Sequence, residues 1–301
     1  LSFLALNFDF FEGSFWLFSL IAMLSVCLIT MWPFRNFYYY FRKGIMSTLL
    51  KNLLPIGSNG VRFKDFIFGD ILTSMVKPLT SLSVSLCLLS CKVCKDLNSR
   101  RSCSRNDDLA LILSLAPYTI RFFQCINRWY YTRLTWPHGF NALKYIGGFT
   151  NAYIGWLHSN HEVDAYVYVS VGMVTVSYQL FWDFYMDWGL LRELDNKNNQ
   201  LFLRQKIMYP VKMYYVAMVI NTVLRYIFLL SLVSLGFSDK VVEGEVKTVF
   251  FSVVEIYRRV QWCLFRVEHE NVNNPEKYRA VLDMPVLPEE MIKEKSHEGS
   301  V

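Results

Sequence analysis

Seven apolar runs, each close to the length a helix needs to cross a bilayer, constrain this 301-residue chain more than any other feature. They cover residues 14–32, 71–90, 109–126, 139–158, 163–182, 211–235 and 246–267. About 20 residues at a 1.5 Å rise span the ~30 Å hydrocarbon core of a membrane. The first run, SFWLFSLIAMLSVCLITMW, contains no charge and is followed by Pro33 and Arg35. Asp9 and Glu12 precede it where a signal peptide would carry basic residues, so it is expected to stay in the protein as a membrane helix. The expected fold is all-α, a polytopic transmembrane bundle of about seven helices. A charged fraction of 19% agrees, since soluble domains carry roughly 25%. The chain opens on Leu1 rather than Met, which suggests a piece of a longer protein.

Between the runs the sequence changes character. In residues 35–54, Arg35, Arg42, Lys43 and Lys51 alternate with aromatics and leucines, the pattern of an amphipathic helix at a membrane surface. From Asn271 the chain turns polar, with Pro275, Pro285 and Pro288, and reads as a cytosolic tail. Three units follow: 1–67, a first membrane helix with a basic interfacial segment; 68–270, the main bundle; and 271–301, the tail. Gly147, Gly148 and Gly155 suit close helix packing. Trp129-Tyr130-Tyr131 and Trp182 stand at run ends, where aromatic belts sit. Loop cations set the orientation. Loops 33–66, 127–138 and 183–210 are rich in Lys and Arg and are expected in the cytosol, whereas 159–162 and 236–245 are poor in them. Residues 91–108 break the rule, placing Lys92, Lys95, Arg100, Arg101 and Arg105 on the opposite side.

The charges inside the runs carry the functional signal. A charge at membrane depth costs at least ~2.5–3.5 kcal/mol, so it implies a partner or a water-filled path. Asp70 sits at the mouth of the second run, Arg121 toward the end of the third, and Lys144 in the fourth. Asp183 and Asp187 close the fifth at a spacing of four, which in an α-helix puts both on one face. Arg225 lies within the sixth, Arg258 and Arg259 within the seventh, with Glu255 one turn earlier. Arg266 reads as a snorkelling residue, and Lys144 and Asp70 could serve as interhelical ion-pair members. Five cations against three carboxylates, or four with Glu255, exceed what a self-neutralising network needs. Such a surplus suits an anion. The planar guanidinium fork matches phosphate oxygens bidentately and stays charged at any relevant pH. A carboxylate could also accept a hydrogen bond from protonated phosphate, which sulfate near neutral pH cannot offer.

Other classes fit less well. The net charge of +6 is spread over loops rather than gathered on one face, so nucleic acid is not an expected partner. No GxSxG, HExxH or P-loop occurs, and the stretch after the Asp183–Asp187 pair lacks the further residues of a lipid phosphotransferase, so no enzyme and no cofactor are expected. The five histidines show no metal-ligand spacing, and His158-Ser-Asn-His161 reads as a polar turn. Cys91-Lys-Val-Cys94 and Cys103 are either scattered thiols or one disulfide from Cys103 to Cys91 or Cys94.

Four stretches also resemble a known family: RFFQCINRWYYTRLTWPHGFNALKY (121–145), YQLFWDFYMDWGL (178–190), YPVKMYYVAMVINTVLRY (209–226) and VEIYRRVQWCLFRVEHENVNN (254–274). They are similar to the EXS domain of eukaryotic inorganic-phosphate exporters, the xenotropic and polytropic retrovirus receptor, PHO-type and SYG-type proteins. The resemblance runs from about Phe68 to Asp283 and more loosely over 1–67. It implies a homodimer in membrane lipid, exporting inorganic phosphate through each protomer. Carried onto this sequence, the phosphate-contacting residues would be Asp70, Arg121, Lys144, Asp183, Asp187, Arg225, Arg258 and Arg259. Phe228 would stand at a gate that is tryptophan in animal exporters. Full-length exporters carry an SPX domain that senses inositol pyrophosphates, and no such domain is visible in this chain. The resemblance therefore also admits an SPX-less Golgi branch, acting in phosphate recycling or in retention of lumenal and glycosylation proteins. Location would be the plasma membrane or the Golgi.

Overall fold

The structure, a computed structural model, describes residues 38–53, 62–90, 108–192, 201–234, 236 and 240–274, together with positions 21, 24, 25 and 28. Most of the first apolar run, the basic loop 91–107 with its cysteines, and the tail from 275 onward thus lie outside the described residues. Among the described residues every regular element is helical. In chain order they are α1 (Tyr39–Leu53), α2 (Phe63–Ser74), α3 (Val76–Ser90), α4 (Asp108–Thr132), α5 (Thr135–Ser159), α6 (Ala165–Trp182), α7 (Val211–Tyr226) and α8 (Lys240–Asn273). A π turn, Asp183–Asp187, extends α6, and a 3₁₀ segment, Ile227–Leu232, extends α7.

The run 71–90 is not one helix. It divides at Met75 into the end of α2 and all of α3. Pro78 explains the break: it has no N–H to give the Ser74 carbonyl, and its ring would crowd that carbonyl in a continuous helix. As the third residue of α3 it sits in the first turn, where its missing donor costs nothing. Arg121, expected near a helix end, lies well inside α4, which continues to Thr132. The interfacial segment does form a helix, α1, which packs on α2.

α4 lies against α2, α3 and α5, α6 packs between α5 and α7, and α8 runs along α2, α3 and α7. Gly148 allows the α4–α5 approach. A Cβ there would come within 2.6 Å of the Tyr118 ring. The 34 residues of α8 measure about 51 Å at 1.5 Å per residue, well beyond a ~30 Å membrane core. Its far end is sealed by a core of Trp188, Leu190, Leu203, Tyr214, Trp262 and Phe265. Three of these six, Trp188, Leu190 and Leu203, come from the segment between Asp187 and α7, so its described residues pack into the bundle's core rather than forming a free cytosolic loop.

Polarity is inverted relative to a soluble domain. Asp70, Arg121, Asp183, Arg258 and Arg266 are buried, while Val219 on α7 and Val253 on α8 are more than 60% exposed. Val216, Val219 and Val223 form an outward apolar stripe at helical spacing. Among the described residues two helical stretches, Asp108–Thr132 and Val211–Leu232, are long and apolar enough to cross a membrane, and only 11% of the most apolar part of the second is buried within the protein. Apolar faces turned outward and charges turned inward define a helical membrane bundle.

Two sequence expectations are corrected here. Trp182 is no belt residue: it is 2% exposed and covers Lys144. Arg266 does not snorkel to a surface. It is fully buried, with Nη1 donating to Glu270 at 3.1 Å and Nε 3.7 Å from Asp187.

Candidate functional site

A cavity of about 920 Å³ lies between α2 and α8, and every helix from α2 onward contributes to its wall. Along α5 it extends from Lys144 to Asn160, and along α8 from Gly244 to Arg259. Each stretch is about 22–24 Å of helix, most of the thickness of a membrane core. The charged groups gather where the cavity meets the sealed core; toward the α5–α6 turn the wall holds Trp156, Ser159 and Thr248.

Three clusters make up the charged end. In the first, Arg121 on α4 donates from Nε to Asp70 Oδ1 at 2.9 Å and from Nη2 to the Tyr145 hydroxyl at 2.7 Å. Tyr145 in turn donates to Asp70 at 2.5 Å, and Arg121 Nη1 donates to Gln124. Every direction of that guanidinium is used, and Phe66 and Tyr145 cover it.

In the second, Asp183 begins the π turn and accepts from Arg225 Nη2 at 2.7 Å, Arg225 Nε at 3.1 Å and Asn221 Nδ2 at 3.0 Å. Arg258 Nη1 stands 3.5 Å from the same oxygen. One carboxylate thus answers two guanidinium groups. Arg225 Nη1 donates to Gln179 Oε1 at 2.6 Å.

The third cluster is on α8. Glu255 accepts from Arg258 at 2.5 and 2.7 Å and from the Ser74 hydroxyl at 2.6 Å. Arg259 differs from its neighbour. Its Nε donates to Ser74 at 2.6 Å, its Nη2 to Thr73 at 3.2 Å, and its plane lies over Trp262 at 4.6 Å. Among the described residues no carboxylate stands within 4.0 Å of it. Lys144 has only a loose ion pair, 3.8 Å from Asp187, and lies over the Tyr145 and Trp182 rings. Lys77 lines the cavity, and no ion pair to it occurs among the described residues.

The charged wall therefore holds Lys77, Lys144, Arg225, Arg258 and Arg259 against Asp70, Asp183 and Glu255, an excess of two positive charges. Uncompensated charge in a low-dielectric site is costly, and an anion supplied from solution removes that cost. Guanidinium donors grouped around an open volume are suited to a tetrahedral oxyanion. No three His, Cys, Asp or Glu side chains among the described residues come together as a metal-ligand set.

Comparison with known proteins places this arrangement. Residues 1–272 match the EXS family. The chain belongs to that family. It is 34% identical over 278 residues to Phosphate transporter PHO1 homolog 4 of Arabidopsis thaliana, covering 89% of this chain and 36% of that protein. It is 31% identical over 277 residues to Solute carrier family 53 member 1 of Cricetulus griseus, and 28% identical over 275 residues to the human protein of that name, covering 85% of this chain and 39% of each. The chain thus spans under two fifths of the length of these relatives. The EXS match includes residues 1–67, and with its relatives it identifies a membrane protein.

Within the EXS bundle, six of the eight residues read from sequence share the cavity wall: Asp70, Lys144, Asp183, Arg225, Arg258 and Arg259. Arg121 and Asp187 stand behind it. Arg121 backs Asp70, while Asp187 lies between Lys144 and Arg266 and accepts from Trp262 Nε1 at 3.2 Å. The spacing of four in Asp183 and Asp187 does not give one α-helical face, because those residues form a π turn and serve different partners. Phe228 lines the cavity from the 3₁₀ segment, edge-on to Tyr168, with its ring where a Cβ on Gly172 would come within 2.8 Å. Sequence reading missed Lys77, Ser74, Gln179 and Asn221. The last two had a signal, since each is a polar residue in an apolar run one turn before a charge the reading did select. The pair His158 and His161 lies at a turn, as its composition indicated, with His158 Nδ1 3.0 Å from the Val163 carbonyl.

Proposed function

We propose that this chain is the conducting bundle of a polytopic membrane transporter for inorganic phosphate, exporting it from the cytosol. Arg259 carries the reading. It is a buried guanidinium on the wall of a deep cavity, with two hydroxyls and a ring for partners and, among the described residues, no carboxylate. Arg225 and Arg258 share Asp183, so they too retain donor capacity for an entering anion. In this scheme Arg225, Arg258 and Arg259 bind phosphate. Lys144 and Lys77 attract it, and Asp70, Asp183 and Glu255 keep the empty site from carrying its full charge. Arg121 and Asp187 act from behind by fixing Asp70 and Lys144. Phe228 narrows the path on the side of the α5–α6 turn, which the loop charges assign to the extracytosolic face.

The name of the Arabidopsis thaliana relative, a phosphate transporter, supports phosphate as the cargo. A homodimer at the plasma membrane or Golgi, with regulation by inositol pyrophosphates through an SPX domain elsewhere in the full protein, completes the proposal. The test is efflux of radiolabelled phosphate from proteoliposomes holding this chain, beside protein-free vesicles. Saturable efflux that unlabelled phosphate competes for better than sulfate is the expected result. Vesicles no leakier than the protein-free control would contradict it.

A further inference from the structure

Glu255 and Arg259 are four residues apart on α8, with the acid toward the N-terminus, which is the favoured arrangement for a helical ion pair. The pair is not made. Glu255 turns to Arg258, and the Ser74 hydroxyl of α2 stands between Glu255 and Arg259, donating to the first and accepting from Nε of the second, each at 2.6 Å. Ser74 is 3% exposed and lies on the cavity wall. Thr73, the residue before it, accepts from Nη2 of the same guanidinium. The end of α2, fixed by the break at Met75, thus brings two hydroxyls across to hold one arginine.

We infer that Ser74 is a positioning residue that insulates Arg259 from Glu255, keeping the charge of Arg259 available to an anion in the cavity. The hydroxyl satisfies Nε without neutralising it, whereas a carboxylate in the same place would do both. Remove the hydroxyl, and Glu255, whose carboxylate stood 2.6 Å from the same oxygen, is left as an acceptor for the guanidinium. An arginine engaged there most of the time leaves only a small binding-competent fraction, and apparent affinity falls in proportion to that fraction. The inference rests on the phosphate reading of the cavity and extends it to a residue with no charge of its own.

The experiment compares the phosphate concentration giving half-maximal flux in proteoliposomes for wild type, Ser74→Ala, Glu255→Gln and Ser74→Ala/Glu255→Gln. Ser74→Ala should raise it about tenfold, corresponding to a competent fraction near one tenth, with maximal flux little changed. The double variant should return to the wild-type value or below, because no carboxylate remains to capture Arg259. A Ser74→Ala variant that matches wild type would overturn the inference, and so would a defect that Glu255→Gln does not reverse. Ser74→Thr against Ser74→Val, equal in shape and differing in the hydroxyl, repeats the comparison if alanine loosens the α2–α8 contact. Absence of flux in wild type would instead refute the transport reading. Phosphate binding to the purified wild type and Ser74→Ala proteins then decides the insulation role alone.

Discussion

Arg121 and Arg259 are both buried arginines, yet they stand in opposite positions. Arg121 is 1% exposed and committed to Asp70, Tyr145 and Gln124; Arg259 has no acidic partner among the described residues. Removing one member of a buried ion pair strands the other, at a cost of about 3–5 kcal/mol. Arg121→Ala should therefore lower thermal stability in detergent strongly, because Asp70 would be left unpaired at 2% exposure. Arg259→Ala strands no carboxylate and should melt close to wild type while losing phosphate flux. Equal melting losses in the two variants would contradict this division. The same contrast shows what sequence can reveal. Arg225, Arg258 and Arg259 were legible because a charge inside an apolar run is costly enough to need a reason. Whether a charge faces the cavity or backs onto the core, as Arg121 and Asp187 do, depends on packing that no spacing rule encodes. Ser74 carries no charge and could not be noticed at all. Lys77 was missed although it stands inside the run 71–90 beside Pro78, where the same cost argument applies to it.

Among the elements, helices were legible and their irregularities less so. Pro78 announces the division of α2 from α3, yet a run of 20 residues, the length of one membrane span, concealed it. The π turn at Asp183–Asp187 has no comparable marker, since DFYMD contains neither glycine nor proline. Its effect is to aim Asp183 at Arg225 and Arg258 while Asp187 meets Lys144 and Arg266. The change from α to 3₁₀ after Tyr226 is likewise silent in sequence, and it sets Phe228 against Tyr168 and Gly172. If that ring narrows the path, Phe228→Ala should raise the unidirectional phosphate flux several-fold and weaken discrimination against sulfate, measured as paired fluxes in one vesicle preparation. Unchanged flux and selectivity would reduce Phe228 to a packing residue.

At the scale of the whole molecule, the account depends on an inversion: valines face outward, and arginines and aspartates line a deep interior volume. Composition made the membrane bundle legible, and the surplus of cations was countable before the fold was seen. The structure changed which residues make up that surplus, exchanging Arg121 and Asp187 for Lys77 and Glu255 on the cavity wall. The central claim is that this surplus exists to hold phosphate. Equilibrium binding of radiolabelled phosphate to the purified chain tests it most directly, because it requires no gate to open and no regulatory domain to be present. Saturable binding in wild type that weakens at least about tenfold in Arg259→Ala, the loss of one charged hydrogen-bonded contact, is the predicted result. Equal binding in the two proteins, or none in wild type, would contradict the account.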